Sequence, residues 1–269
     1  PHTKARYLLH VGSTPSLLPC REKEFGEVLE KVENAIDEST GQCLYVSGVP
    51  GTGKTATCRQ VVRTLMKKRA DGSRAGLPDF NFVEINGMKI SEASQVYSIL
   101  WDAIGGSQAR VSSKSALEKL RQHFERYSER TGTDQRSMTV LLLDEMDQLI
   151  TSRQDVIYNL FNWPNMQNSK LLVIALANTM DLPQRALSAK VASRLGWQSV
   201  QFKPYDDKQL TQIVQARLGI ETPTVVIPDK VKETTRGCST IFNGNAITLM
   251  AKKVAVVNGD ARRMLDIAR

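Results

Sequence analysis

Gly48-Val49-Pro50-Gly51-Thr52-Gly53-Lys54-Thr55 fits the pattern G-x-x-x-x-G-K-[ST], and its flanks decide what it means. Before it, Cys43-Leu44-Tyr45-Val46-Ser47 reads as a short buried strand. After it, Ala56 to Lys68 carries Val61, Val62, Leu65 and Met66 at helical spacing. Glycines between a strand and a helix let successive N–H groups curl inward toward phosphate oxygens, and the helix adds the positive end of its dipole. The predicted phosphate-binding residues are Val49, Pro50, Gly51, Thr52, Gly53, Lys54, Thr55 and Ala56. Lys54 reaches the β- and γ-phosphates in such loops, and Thr55 offers its hydroxyl to magnesium. A glycine-rich surface loop matching by chance is the competing reading, and it accounts for neither flank.

A strand ending in acid is the second half of such a site, and Thr139-Val140-Leu141-Leu142-Leu143-Asp144-Glu145 supplies one. At the carboxyl end of a strand in an open α/β sheet, Asp144 lies on the side where these sheets bind ligands, in place to hold the magnesium shell. Glu145 is then the candidate to orient or deprotonate an attacking water. The plainer alternative is a strand that ends in polar residues because every strand must.

The chain has 269 residues, 41% of them hydrophobic, which suits one large α/β core with a smaller appended unit. Its longest apolar run, Leu171 to Ala177, is far short of the roughly 18 residues of a spanning helix, and Pro1-His2-Thr3-Lys4 opens no signal peptide. A soluble protein without a membrane partner is expected. Cys20, Cys43, Cys58 and Cys238 have no C-x-x-C spacing, so reduced thiols are expected in a cytosolic or nuclear setting. The chain starts without Met and stops inside a helical pattern, as a piece of something longer would.

A net charge of +8 argues for a polyanionic partner. Arg59, Arg63, Lys67, Lys68, Arg69 and Arg74 face only Asp71, and a second basic excess runs from Arg110 to Arg136. Solvated helix faces account for such runs as well as nucleic-acid contact does.

Along the chain, Phe25, Val28, Leu29, Val32 and Ile36 predict a helix leading into the loop-bearing strand. Strands are predicted at Phe80 to Asn86, Val140 to Asp144, Leu171 to Ala177 and Ser199 to Phe202. Helices fall at Ala93 to Ile104, Ser115 to Tyr127 and Asp155 to Phe161, with a polar loop from Gly105 to Ser113. That alternation predicts an α/β fold with a parallel sheet covered on both faces, ending near residue 203. From 204 to 269 only helices follow, marked by Leu210, Ile213, Val214 and Leu218, then Ile247, Met250, Ala251, Val254 and Val257. Asp260 is a candidate N-cap for the last of them. Asn178, directly after a strand, would lie beside Asp144 and serve the γ-phosphate or its water, although Asn also ends strands simply as a turn former. Arg262, on the last helix, either reaches over the phosphates or is a surface arginine.

Taken together, these pieces resemble the AAA+ ATPases of the initiator group, from about Leu17 to Arg269. Specific strings carry the resemblance: Leu18-Pro19-Cys20-Arg21-Glu22, Glu84-Ile85-Asn86-Gly87-Met88-Lys89, Tyr158-Asn159-Leu160-Phe161-Asn162-Trp163-Pro164, Ala177-Asn178-Thr179-Met180-Asp181-Leu182-Pro183, Ala192-Ser193-Arg194-Leu195-Gly196 and Gly259-Asp260-Ala261-Arg262-Arg263. The resemblance implies a five-stranded AAA+ nucleotide-binding domain over 1–203, a helical lid over 204–269, and a winged-helix domain beyond the chain. It implies ATP and magnesium as cofactors, with Asn178 as sensor one and Arg262 as sensor two. Arg194 matches the arginine finger, which acts in trans on a neighbour's nucleotide. Pro19 with Cys20, and Tyr205, match positions flanking the adenine. The stretch from Met88 to Gly105 is similar to the group's DNA-touching insertion, making Lys89 the candidate backbone contact. Implied partners are the subunits of an origin recognition complex, with subunit four at the ATP site, cell division cycle protein six and double-stranded DNA, all in the nucleus. Glu145-Met146-Asp147-Gln148-Leu149 is similar to the cell division cycle protein six branch, whereas Asn86-Gly87-Met88-Lys89 and Gly259-Asp260-Ala261-Arg262-Arg263 pull toward the origin recognition complex branch. An ATP-locked scaffold and a protein-remodelling ATPase are the other classes considered; the latter needs an aromatic pore loop where Asn86-Gly87-Met88-Lys89 stands.

Overall fold

A computed structural model of the chain describes residues 2–10, 18–72, 77–105, 111–125, 137–167, 169–179, 188–189, 198–218 and 243–269. These fall into two compact units, one made of Glu27–Ser47 and Val61–Gln201, the other of Pro1–Gly26, Gly48–Gln60 and Phe202–Arg269.

The first unit is organised by a sheet whose two centre strands are apolar throughout. In β3 (Met138–Asp144) and β4 (Leu171–Ala177) all seven residues are buried, as strands covered on both faces must be. β1 (Gln42–Gly48) lies on the other side of β4, with its five inner residues buried. Of the flanking strands, β2 (Phe80–Asn86) buries Phe80, Val83 and Ile85 and exposes Asn81 and Glu84, and β5 (Ser199–Phe202) alternates exposed with buried residues. The order is β2-β3-β4-β1-β5, the five-stranded parallel sheet expected for the fold class. Its register sets Asn86 opposite Asp144 and Ser47 opposite Ala177, so the carboxyl ends of the strands finish at one edge. α2 (Glu22–Asp37) buries Val28, Val32, Ala35 and Ile36, with Phe25 and Leu29 of the stripe read from sequence half-buried. α3 (Lys54–Ala70) follows the loop. α4 (Gln95–Gly105), α5 (Ser113–Glu125) and α6 (Asp155–Asn162) add the rest of the cover. The predicted loop from Gly105 to Ser113 gives up both ends, Gly105 closing α4 and Ser113 beginning α5. Trp163 and Phe161 are fully buried, and the Tyr97 ring meets Trp163 edge-on at 5.9 Å while its hydroxyl accepts a hydrogen bond from Asn159 Nδ2 at 2.8 Å. Each such large apolar side chain stabilises the fold by roughly 1.5–3 kcal/mol.

In the second unit α7 (Asp207–Leu218), α8 (Gly244–Val257) and α9 (Ala261–Ala268) share a core through Leu210, Val214, Ile247, Val254 and Met264. An N-terminal helix, α1 (His2–Leu8), joins it. Ala5 and Leu9 are buried in that core, and Arg217 Nη1 donates to the Leu8 carbonyl at 3.4 Å. Among the described residues no helix is long and apolar enough to cross a membrane. Arg194, Cys238 and the stretch 219–242 lie outside the described residues.

Candidate nucleotide-binding site

The loop after β1 turns on glycines held where L side chains are strained. Gly51 has φ 75° and Gly53 φ 90°. Space forbids a side chain as firmly as the backbone does. A Cβ on Gly51 would stand 1.7 Å from Asp260 Oδ1, and one on Gly53 would stand 2.9 Å from the Tyr205 hydroxyl. Thr52 is fully buried and its hydroxyl donates to the Val49 carbonyl at 2.8 Å, which closes the turn. Lys54, only 7% exposed, donates Nζ to the carbonyls of Gly48 at 2.6 Å and Val49 at 3.1 Å. Val49 and Pro50 face outward, and Thr55 and Ala56 are half-buried in the first turn of α3. That turn contains no acidic residue, so no carboxylate within it competes with an anionic ligand for the positive end of the helix dipole. At the other end of α3, Lys67, Lys68 and Arg69 complement the negative end of the dipole. Lys68 and Arg69 also pair with Glu33 at 3.3 Å and Asp79 at 3.2 Å, so part of the basic run has a structural reason.

The residues predicted to flank a base lie in the same unit as the loop. Pro19 is buried, and Cys20 follows it with φ 65°. The Cys20 thiol donates to Gln212 Oε1 at 2.9 Å, and burial, helped by the nearby Glu22 charge, pushes its pKa up to about 11. Tyr205 is 3% exposed and burial holds its phenol above the ordinary range. Between these segments sits Arg21, whose importance the sequence reading missed. Its only sequence signal was membership in the string Leu18 to Glu22. It is 3% exposed, donates Nε to the Thr52 carbonyl at 3.0 Å, and lies 3.9 Å from the centroid of the Tyr205 ring.

The start of α9 also touches the loop. Ala261 N donates to the Gly51 carbonyl at 3.2 Å. Asp260 is the N-cap expected from sequence, its carboxylate accepting from the backbone of Arg262 at 2.7 Å and of Arg263 at 3.4 Å. Arg262 itself is exposed on the first turn.

The acidic group is a separate cluster in the sheet unit. Asp144, 6% exposed, accepts from Glu145 N at 3.1 Å and from Asn86 Nδ2 at 3.3 Å. Asn86 is the predicted end of β2; its place opposite Asp144 in the register is what makes it a partner. Glu145 takes the left-handed backbone, φ 53° and ψ 46°, a conformation that costs a non-glycine residue about 1–2 kcal/mol. Its carboxylate accepts from Asn178 Nδ2 at 2.5 Å, while Asn178 N donates to Asp147 Oδ2 at 3.1 Å. Asn178 thus serves Glu145 as well as ending β4. Gly87 follows from the same crowding, because a Cβ there would stand 2.4 Å from the Glu145 carbonyl oxygen. Lys89 is exposed at the end of the short 3-10 turn Gly87–Lys89, with exposed Met88 beside it.

These donors suit a magnesium nucleotide. In the loop unit, backbone amides, a helix terminus and one ammonium suit phosphate, and the Thr55 hydroxyl is a hard oxygen donor; in the sheet unit, the Asp144 carboxylate is a hard oxygen donor of its own. Magnesium characteristically combines one or two carboxylates with substrate phosphates.

A parallel sheet of this order, a phosphate loop after β1 and an acid pair after β3 define a P-loop ATPase of the AAA class. The profile of the ATPase family associated with various cellular activities (AAA) matches residues 44–198, and the chain belongs to that family. Within it, the chain is similar to origin recognition complex subunit 1. Identity is 47% to the Schizosaccharomyces pombe protein over 100% of this chain and 34% of the relative, and 45% to the Drosophila melanogaster protein over 98% and 26%. For the Homo sapiens protein it is 42% over 99% and 28%. The chain therefore spans about a quarter to a third of the length of these relatives. Among solved structures it is similar to a chain of the Drosophila origin recognition complex bound to DNA, with TM-score 0.79 and 42% identity over 98% of this chain and 58% of that one. An Aeropyrum pernix ORC1 protein in complex with DNA gives 0.69 and 26%, over 98% and 62%.

Proposed function

We propose that the chain is the ATP-binding and ATP-hydrolysing domain of an origin recognition complex subunit, which binds origin DNA in an ATP-dependent way and helps load the replicative helicase. The observation that supports this most is the loop itself: left-handed Gly51 and Gly53, and buried Lys54, at the start of an acid-free helix turn, in a chain 42–47% identical to that subunit. Residues 1–203 supply the nucleotide-binding domain and 204–269 the lid, with α1 packed among the lid helices. Val49 to Ala56 hold the phosphates, while Pro19, Cys20 and Tyr205 flank the adenine. Thr55 and Asp144 hold magnesium, which when bound neutralises phosphate charge. Glu145 orients the attacking water, Asn178 holds Glu145 and senses the γ-phosphate, and Arg262 is the second sensor.

Arg194 acts in trans on a neighbour's nucleotide, and this chain's own site takes its finger from subunit four, so hydrolysis by the isolated chain is slow. Cell division cycle protein six is a further partner, Lys89 contacts the DNA backbone, and the setting is the nucleus. The carboxylate held on Glu145 favours this reading over an ATP-locked scaffold, which has no use for one. In the complex assembled with its neighbours, Glu145→Gln is expected to bind ATP as the parent does and to lose turnover about 100-fold or more, the size of a general-base contribution. No measurable turnover at this site in the parent complex would leave the scaffold reading in its place, and equal turnover by parent and variant would remove Glu145 from the chemistry.

A further inference from the structure

Arg21 stands just before α2, and among the described residues its polar contacts lie within the unit that carries the phosphate loop. Nε donates to the Thr52 carbonyl at 3.0 Å, and Nη2 to the Lys203 carbonyl at 2.5 Å. Nη1 pairs with Glu24 at 2.6 Å. The guanidinium carbon lies 3.9 Å from the centroid of the Tyr205 ring and 5.4 Å from that of Phe202. One side chain thereby grips the middle of the phosphate loop, the backbone just before Pro204-Tyr205, and the Tyr205 ring. The same Tyr205 carries the hydroxyl that closes over Gly53.

Packing alone does not demand a charge here. Burying a guanidinium is costly unless it is paired and hydrogen-bonded, and an apolar side chain would fill the space at less cost. Nor does packing fix its position on every side, for a cavity of about 70 Å³ lies against Arg21, Leu18, Phe25 and Thr57. Hydrogen bonds hold the group there. Two of its acceptors are the main-chain carbonyls of Thr52 and Lys203, which the rigid planar fork reaches from two separate nitrogens at once, a spacing that the single ammonium of lysine does not reproduce.

We propose that Arg21 is a positioning residue of the nucleotide site: it locks the Thr52 carbonyl and the Tyr205 ring in one geometry, so that the phosphates and base of a purine nucleoside triphosphate meet surfaces already set. The inference rests on the ATP-site reading above. Preorganisation of this kind acts on affinity, because a loop that must be ordered on binding gives up part of the binding free energy.

The test is calorimetric titration of the full chain with magnesium and ATP, comparing parent, Arg21→Lys, Arg21→Gln and Lys54→Ala for both dissociation constant and fraction of binding-competent sites. Arg21→Lys and Arg21→Gln are expected to keep the parent's stoichiometry and to weaken ATP about 10-fold or more, the scale of a lost charge-assisted hydrogen bond. A merely structural arginine would do the reverse, lowering the competent fraction at unchanged affinity, and that result would overturn the inference. So would affinity within twofold of the parent in both variants. If the parent binds, Lys54→Ala does not, and the Arg21 variants bind normally, the inference fails while the ATP site stands. If parent and Lys54→Ala bind alike, or neither binds, both fall.

Discussion

Gly51→Ala perturbs the loop at its tightest point, and the size of the effect follows from two terms. At φ 75° an alanine pays the left-handed strain of roughly 1–2 kcal/mol. Its Cβ would also stand 1.7 Å from Asp260 Oδ1, so the carboxylate must move from a place where it caps α9 through the backbone of Arg262 and Arg263. Loss of such a cap costs about 1 kcal/mol. Together the variant should be destabilised by about 2–3 kcal/mol. For a chain of this size that lowers the melting temperature by roughly 5–10 °C. Thermal denaturation followed by circular dichroism, without nucleotide, reads it. Asp260→Ala should cost about 1 kcal/mol by itself. The double variant should then cost less than the sum, because the cap can be lost only once. A Gly51→Ala protein melting within 1 °C of the parent, or strict additivity with Asp260→Ala, would refute the reasoning.

Three further outcomes follow from particular contacts. Asn178→Ala removes the donor to the Glu145 carboxylate and leaves the Asp147 contact, which uses the backbone; in the assembled complex it should slow turnover about tenfold or more with ATP affinity unchanged, and parental turnover would dismiss the contact. Lys89→Glu, at an exposed position, should weaken binding of the assembled complex to unrelated duplexes alike and flatten its salt dependence, since one fewer counterion is released; an unchanged affinity and slope would take Lys89 off the DNA surface. Cys43 is buried, and burial pushes its thiol from the ordinary 9.0 to about 12. The folded chain then holds this proton more tightly than the unfolded one, so its stability contribution is intact below pH 9 and is lost as pH climbs from 9 to about 12. Melting temperature should fall over that window, less steeply in Cys43→Ala, and parallel curves would contradict the assignment.

The strands were the most legible part of the chain. β4 runs over the predicted Leu171–Ala177, and β2 and β5 also keep their predicted ends, because continuous apolar runs and two-residue alternation are local signals. α1 carried no such signal. His2–Leu8 reads as polar, and only its packing, through Ala5 and Leu9, makes it a helix of the core. Asn86 ends its strand as read from sequence, but its capping of a 3-10 turn and the need for Gly87, set by the Glu145 carbonyl 58 residues further along, carried no local signal. The loop, the acid pair and the Asp260 cap were legible from spacing and residue type. Arg21 was not, because two of its partners are main-chain carbonyls at Thr52 and Lys203, and a main-chain acceptor leaves no mark on composition or periodicity.

The central claim is that the Gly48–Thr55 loop holds the phosphates of ATP, and titration calorimetry of the chain with magnesium and ATP tests it most directly. Lys54 is the buried ammonium of that loop, donating at 2.6 Å and 3.1 Å to its carbonyls, and is the group that would turn to the β- and γ-phosphates. The parent should bind one ATP per chain and Lys54→Ala should lose about 100-fold or more in affinity, as expected when more than one charge-assisted hydrogen bond goes. Equal affinity of the two proteins, with both correctly folded, would contradict the account.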